Sequence, residues 1–278
     1  MSYKINSLLI VLFAILFNFN IFAAQKAQKT IVIYDIDDTI KTTHIGNFSD
    51  KTKYAFFTDN LFAGSNILLN YMVKEFGGND KLSYVTNAPE WLMKKYHTEF
   101  IKGNNFPNSS IYFKVGQNHK VNTITKLIIA ANPSRVVLVG DNGEKDIEYY
   151  HQITQKFAQS GIQFLQFIHT VYKTDGNKFL ALYPDQVAFA TPLEILFEIY
   201  FARAVDNNTE FYKTAHDIAA ELLAHVSSSD GHGPQAIPKW VDCRDLRWNP
   251  QWSQLLSNIP EKRDVFQLIL DRCLSPKN

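Results

Sequence analysis

A chain of 278 residues with a formal net charge of +1 is long enough for one large or two small domains with a sizeable core. The near-neutral balance excludes the basic footprint of a nucleic-acid binder, so no nucleic acid is expected among its partners. Aromatic residues persist to the C-terminal part, against disorder there, and there is no internal repeat or low-complexity tract.

At the N-terminus Lys4 precedes an apolar run from Leu8 to Ala24, broken by Asn18 and Asn20 and ending in the small residues Ala23 and Ala24. This is the pattern of a cleaved secretory signal, residues 1–24. The alternative is an uncleaved membrane anchor, for which the run is short and its asparagines unfavourable. Either reading puts the rest of the chain outside the cytoplasm, secreted or periplasmic in the first case and membrane-anchored in the second. The two cysteines, Cys243 and Cys273, suit an oxidising compartment. Sequence leaves open whether they meet, and they are too few for a zinc site.

Thr30–Tyr34 is apolar and β-branched, the signature of a short buried strand in a parallel sheet. It runs into Asp35-Ile36-Asp37-Asp38-Thr39-Ile40. Ligands of open α/β sheets bind beyond the carboxyl ends of the strands. Side chains at i and i+2 of an extended segment share a face, so Asp35 and Asp37 can address one reacting atom, while Asp38 is read as structural. Two neighbouring carboxylates call for a metal or a lysine between them.

Residues 41–60 read as a loop or small flap, and Leu61 to Phe76 as a helix stopped by Gly77-Gly78. Leu82–Asn87 is a further strand, ending in the hydroxyl of Thr86 and the amide of Asn87. A helix from about Pro89 to Ile101, a turn-rich link and a short strand Ile111–Val115 follow. Lys120 opens a helix that continues to Ala131. Val136–Asp141 is a second buried strand ending in a carboxylate, with Gly140 leaving room for the chain to turn and Asp146 five residues beyond Asp141. A helix Glu144–Gln159 and a last strand Gln163–Tyr172 complete the alternation, which means a parallel sheet covered on both faces. Past residue 175 the character becomes helical, with segments Thr191–Val205 and Phe211–Val226, a Ser/Gly/Pro-rich loop 227–238 and a final helix.

Strand tips carrying, in order, Asp-Ile-Asp-Asp-Thr-Ile-Lys (35–41), Tyr-Val-Thr-Asn-Ala-Pro (84–89), His-Lys (119–120) and Gly-Asp-Asn-Gly-Glu-Lys-Asp (140–146) resemble one branch of the haloacid dehalogenase superfamily. That branch is the catalytic domain of the actin-patch-associated phosphatidate phosphatases, and the resemblance spans roughly residues 30 to 170. It implies a Rossmann-like α/β domain over 28–175 with no full cap, followed by a C-terminal helical segment, 176–278, that it does not cover. Neither gap between motifs can hold a cap, and an open site suits a large or membrane-presented phosphate. The C-terminal segment is left as an appendage or a lid.

By the same resemblance Asp35 attacks phosphorus and Asp37 handles protons at the leaving and incoming oxygens. Thr39 steadies the turn and serves the substrate side of the site. Thr86 and Asn87 hold phosphoryl oxygens, Lys120 screens charge, and Lys41 either contacts a second anionic group or lies at the surface. Mg²⁺ would take Asp35, the Asp37 carbonyl and Asp141, with Asp146 close by. The chain departs from the family at Phe62-Ala63-Gly64, where a proline-glycine turn is expected, and at Thr86, where serine is common.

The 141–146 loop is no EF-hand, since its glycine is misplaced and no distal glutamate follows. His216, His225 and His232 suggest a metal site, but the first two are nine residues apart, which favours helix surface. The expectation is an exported, Mg²⁺-dependent phosphatase of a phosphatidate-like lipid. The alternatives are a broad soluble phosphomonoesterase and a non-catalytic exported binding or effector protein. Protein partners are not legible.

Overall fold

The computed structural model describes residues 29–47, 53–175, 179–202, 208–226 and 232–274. The segment read as a secretory signal lies outside these residues. Among the described residues no helix is long and apolar enough to cross a membrane.

Six parallel strands form the central sheet: β1 (Thr30–Tyr34), β3 (Leu82–Val85), β4 (Ser110–Tyr112), β5 (Arg135–Asp141), β6 (Gln163–His169) and β7 (Gln186–Phe189). Their spatial order is β4-β3-β1-β5-β6-β7. The chain leaves β1 towards one edge and returns to build the other, so β1 and β5 flank the point where the strand order reverses, and ligands collect there. The register pairs Tyr34 with Tyr84 on one side and with Val139 on the other. The aspartates that follow β1 and close β5 therefore emerge side by side.

Alternation along the strands feeds two cores. Ile31 and Ile33 of β1, with Val136 and Leu138 of β5, face α3 (His119–Ala131) and α4 (Asp146–Lys156) through Ile124, Ile128, Ile147 and Ile153. Val32, Tyr34, Val137 and Val139 face the opposite way. That larger core takes in α1 (Ser65–Phe76), part of α2 (Glu90–Gly103), α5 (Pro192–Phe201), α6 (Asn208–Ala224), α7 (Pro250–Leu256) and α8 (Lys262–Ile269). The result is the helix–sheet–helix sandwich expected of a parallel sheet buried on both faces.

Several boundaries differ from the sequence reading: the helix read as Glu144–Gln159 spans Asp146–Lys156 and the strand read as Gln163–Tyr172 ends at His169, and three further differences have a local cause. The helix predicted from Leu61 begins at Ser65, because Gly64 sits at φ 81° and breaks helical continuation. Leu61–Phe62 is instead a short strand, β2, paired in parallel with β8 (Pro234–Gln235). The strand predicted at Ile111–Val115 is Ser110–Tyr112. The C-terminal stretch, read as helical, also supplies β7, whose register against β6 runs from Gln166–Gln186 to His169–Phe189.

The C-terminal segment is fastened to the sheet domain. Asp242 N–H donates to the Val171 carbonyl at 2.9 Å, and Trp240 stacks on His44 with ring centroids 4.3 Å apart. Cys243 and Cys273 form a disulfide with Cα atoms 4.8 Å apart, closing the question that spacing left open. Chain entropy predicts that this loop adds roughly 3.5 kcal/mol of stability. Urea unfolding of a Cys243→Ser, Cys273→Ser variant should read a loss of that order, matched by wild-type protein under reductant.

Helix α5 opens on a capping box, Thr191 to Glu194, with the Glu194 carboxylate accepting from Thr191 N–H at 2.8 Å and from its hydroxyl at 2.7 Å. Glu194 is fully buried and its second oxygen has no partner among the described residues. Burial pushes its carboxyl up to about 7 from 4.5, against those two bonds. The native state therefore keeps a proton that the unfolded chain releases. Its share of stability is full below about pH 4.5 and lost as pH rises through 7, up to about 3 kcal/mol. A Glu194→Gln variant should lose that slope in a pH series of unfolding curves.

Candidate active site

Asp35 follows the last residue of β1 and is buried; its N–H still donates to Val139 O at 2.8 Å, holding it in line with the sheet. Asp141 ends β5 and Asp146 opens α4. Carboxylate oxygens of Asp35, Asp141 and Asp146 lie within 4.8 Å of one another, all buried. Lys120, in the first turn of α3, puts its ammonium 2.9 Å from Asp35 Oδ1 and 2.6 Å from Asp146 Oδ1. One cation thus faces three carboxylates.

The electrostatics follow from that imbalance. Burial pushes the Asp35 carboxyl well above the usual range; Lys120 opposes this, and Asp146 and Glu144 add to it. Burial likewise raises Asp141, with Asp146 and Asp35 adding repulsion. Burial also raises Asp146, against Lys120. For Lys120 burial would lower the ammonium, but Asp146 and Asp35 overcome it and hold the group well above its ordinary value. Asp141 Oδ2 and Asp146 Oδ2 are buried with no hydrogen-bond partner among the described residues. Unpartnered hard oxygens beside an excess of negative charge fit a divalent cation. Asp35, Asp141 and Asp146 would hold it.

The turn after β1 is organised by Asp38, as its structural reading anticipated. Asp38 adopts φ 56°, and its buried carboxylate accepts from the N–H groups of Thr43 (2.9 Å), His44 (2.6 Å) and Ile45 (2.8 Å) and from Tyr172 OH (2.6 Å). Thr39 Oγ1 donates to Asp35 Oδ2 at 3.3 Å, so its hydroxyl serves the nucleophile candidate. The Asp37 carboxylate lies outside the three-carboxylate cluster. It accepts from Thr43 Oγ1 at 2.7 Å and sits 3.3 Å from His97 Nε2. Burial would raise Asp37, but the charge and hydrogen bond of His97, the charge of Lys41 and the bond from Thr43 outweigh it and hold the carboxyl below the usual range. The metal role inferred for Asp37 asks only its backbone carbonyl.

Three expected contacts take other forms. Thr86, just past β3, accepts from Ala88 N–H at 3.0 Å, a bond that leaves its hydroxyl proton to give. The Asn87 amide, expected on substrate, donates to Glu144 Oε2 at 2.7 Å. Lys41 is not at the surface: it is fully buried, donates to the Ala55 carbonyl and lies 5.6 Å from the centre of the Phe100 ring. Its contribution to this site is a charge behind Asp37. His216, His225 and His232 pair with Glu261, Glu221 and Asp59 at 2.9, 3.2 and 3.2 Å, apart from the cluster, in keeping with the surface reading.

Sequence reasoning missed His97 and Glu144. The one signal for His97 was a polar residue on the apolar stripe Met93, His97, Phe100, Ile101 of α2. Gly140 has a sharper role than easing a turn. A Cβ there would lie 2.2 Å from Asp146 Oδ2 and 2.7 Å from Tyr150 OH, so only glycine lets that carboxylate lie over β5.

Outward from Asn87 and Glu144 opens a cleft of about 2110 Å³, walled by α2, the 114–118 loop and the start of α4. None of its lining residues comes from the C-terminal segment, which buttresses the 42–47 loop and does not cover the cleft. No separate cap domain stands between the motifs among the described residues: the first gap holds β2 and α1, the second α2 and β4.

Residues 30–163 match the catalytic domain of phosphatidate phosphatase APP1. Over that stretch, just under half of the chain, the sequence is similar to the APP1 catalytic domain. The family is one of phosphoric monoester hydrolases, and its match spans all four strand-tip motifs. An uncharacterized protein of Schizosaccharomyces pombe, C29B5.04c, is 27% identical over 144 residues, which covers 46% of this chain and 23% of that relative. The chain thus aligns with under a quarter of the relative's length.

Replacing Gly140 by alanine tests whether the APP1-type site depends on close approach. The added methyl must displace the Asp146 carboxylate, and divalent-metal affinity should fall by about 10- to 100-fold. Calorimetric titration with Mg²⁺ or Mn²⁺ measures it, with circular dichroism to confirm a retained fold.

Proposed function

We propose that this chain is an exported, Mg²⁺-dependent phosphatase that hydrolyses a phosphatidate-like lipid through an aspartyl-phosphate on Asp35. The observation that carries the chemistry is Lys120 locked between Asp35 and Asp146 at 2.9 and 2.6 Å, inside a cluster of buried carboxylates at the tips of β1 and β5. Bound Mg²⁺ would draw charge from the phosphoryl oxygens and relieve the repulsion among Asp35, Asp141 and Asp146.

Asp35 supplies the nucleophilic oxygen; Lys120 favours its ionised form against the effect of burial, and Thr39 orients it. Its oxygen forms a bond to phosphorus as the bond to the ester oxygen breaks. Asp37 delivers a proton to the departing alcohol. That carboxyl is low in the substrate-free site because of His97, Lys41 and Thr43, and an arriving anionic phosphate raises its proton affinity. In the second half Asp37 takes a proton from water, whose oxygen attacks phosphorus and frees Asp35 with release of inorganic phosphate. Lys120 and the Thr86 hydroxyl face the phosphoryl oxygens in both halves.

The lipid reading is supported by the APP1 match and by the lack of a cap domain between the motifs among the described residues. The export reading is supported by the apolar N-terminal run and by the Cys243–Cys273 bridge.

The test is phosphate release from phosphatidate in mixed micelles, with Mg²⁺ and with chelator, beside Asp35→Asn. Release should need Mg²⁺ and fall by about 10³-fold or more in the variant, the loss expected when a covalent nucleophile is removed. Far faster turnover of a small aryl phosphate would replace the lipid by soluble monoesters. No release from either substrate would leave an exported binding protein.

A further inference from the structure

We infer that Asn87 and Glu144 form a latch across the entrance to Asp35, which an arriving phosphoryl group opens by taking the Asn87 amide from the Glu144 carboxylate. The latch rests on the phosphatase reading above and deepens it. Its position follows from the sheet order. Strands β3 and β5 pair with β1 on its two opposite sides. Asn87 stands just past the end of β3, and Glu144 just past the end of β5. A hydrogen bond between their side chains therefore passes over the end of β1, where Asp35 lies. The bond is short, 2.7 Å from Asn87 Nδ2 to Glu144 Oε2. Both residues line the cleft, whereas Asp35, Thr86 and Lys120 do not and are only 3%, 1% and 1% exposed. The nucleophile candidate and the groups that would hold phosphate thus lie behind this bond.

Glu144 is placed to compete with a substrate. Its carboxylate offers an amide the same kind of anionic acceptor oxygen as a phosphoryl group, so the two claim one donor. Glu144 makes no ion pair among the described residues. Its charge reaches the reacting atoms: the Asp35 and Asp146 carboxyls, raised first by burial, are raised further by Glu144. An anion entering here meets that charge and gains the Asn87 amide only by displacing it. The amide expected on substrate is therefore held off it in the resting site. Opening needs little else to move. Thr86 is fixed separately, accepting from Ala88 N–H at 3.0 Å, and Lys120 stays between Asp35 and Asp146. Beyond their shared bond the Asn87 and Glu144 side chains have no other hydrogen-bond partner among the described residues, so the latch opens by breaking one hydrogen bond.

The test is calorimetric titration of the full chain with inorganic phosphate in the presence of Mg²⁺, beside Glu144→Ala and Glu144→Gln. Removing the competing acceptor should tighten phosphate binding by about tenfold in Glu144→Ala, the order of one hydrogen bond to a charged group. Glutamine still accepts from Asn87, so Glu144→Gln should gain less. The KM for a small aryl phosphate should fall in the same order. Unchanged circular dichroism and melting show that each variant keeps the fold. A spectroscopic reading needs no variant: the ¹H–¹⁵N signals of the Asn87 side-chain amide should move when phosphate binds the wild type. Signals that stay in place while phosphate binds overturn the latch. Weaker phosphate binding in Glu144→Ala also overturns it and makes the bond a clamp that steadies the site. Unchanged binding in Glu144→Ala removes the latch, and equal gains in both variants replace it by plain charge repulsion. Turnover by the wild type with any of these results removes the latch alone. Neither phosphate binding nor turnover in any of the three proteins removes the phosphatase reading, and the latch with it.

Discussion

Like charges forced together govern this structure. Three carboxylates share a buried space less than 5 Å across, and only one ammonium lies among them. Such a group is costly in a low-dielectric interior unless the surroundings hold every member in place. The parallel sheet does this by chain geometry. Neighbouring strands β1 and β5 end together, so Asp35 and Asp141 need no loop to bring them near each other, and α3 and α4 deliver Lys120 and Asp146 from their first turns. Gly140 removes the one Cβ that would keep Asp146 off the strand. The electrostatic need for a divalent cation and the backbone that frames it are consequences of the same topology.

A second layer holds the turn that leaves β1. Asp38 gathers three backbone N–H groups and a tyrosine hydroxyl, and Tyr172 passes the support on by accepting from Gly46 N–H at 2.7 Å. Trp240 lies over His44, and β8 extends the little sheet begun by β2. Residues from the end of the chain thus immobilise a loop near its start, which places Thr43 against Asp37. The Asp37 carboxylate is oriented from three directions: the loop, His97 on α2 and the buried charge of Lys41.

What was legible in the sequence was whatever sits at a strand tip. Asp35, Asp37, Thr86 and Asp141 end or follow apolar strands, so position named them, whereas Lys120 and Asp146 open helices and were named through the resemblance of the four motifs. Partners supplied from elsewhere were not legible. His97 is one polar position on an apolar helix face, and Glu144 is one acid in a turn. Nothing local says that one reaches Asp37 and the other the Asn87 amide. The sequence pattern starts this helix four residues before Ser65 because Leu61 and Phe62 continue its apolar spacing; only the left-handed Gly64 separates them. Strand β7 is four residues long at the sheet edge, too short for alternation to stand out from its surroundings. The disulfide needed tertiary proximity, which spacing does not contain.

The match to the APP1 family ends at residue 163, where β6 begins. In space, however, β6 covers one whole side of β5, pairing with it from Arg135–Gln163 to Asp141–His169. A chain ending at the homology boundary would leave the strand that bears Asp141 as a bare edge, still paired with β1 but with the backbone groups of its other side unpaired. Such an edge invites pairing between molecules. The matched stretch is therefore smaller than the folding unit, and β6 and β7 are what keep the strand that bears Asp141 an interior one.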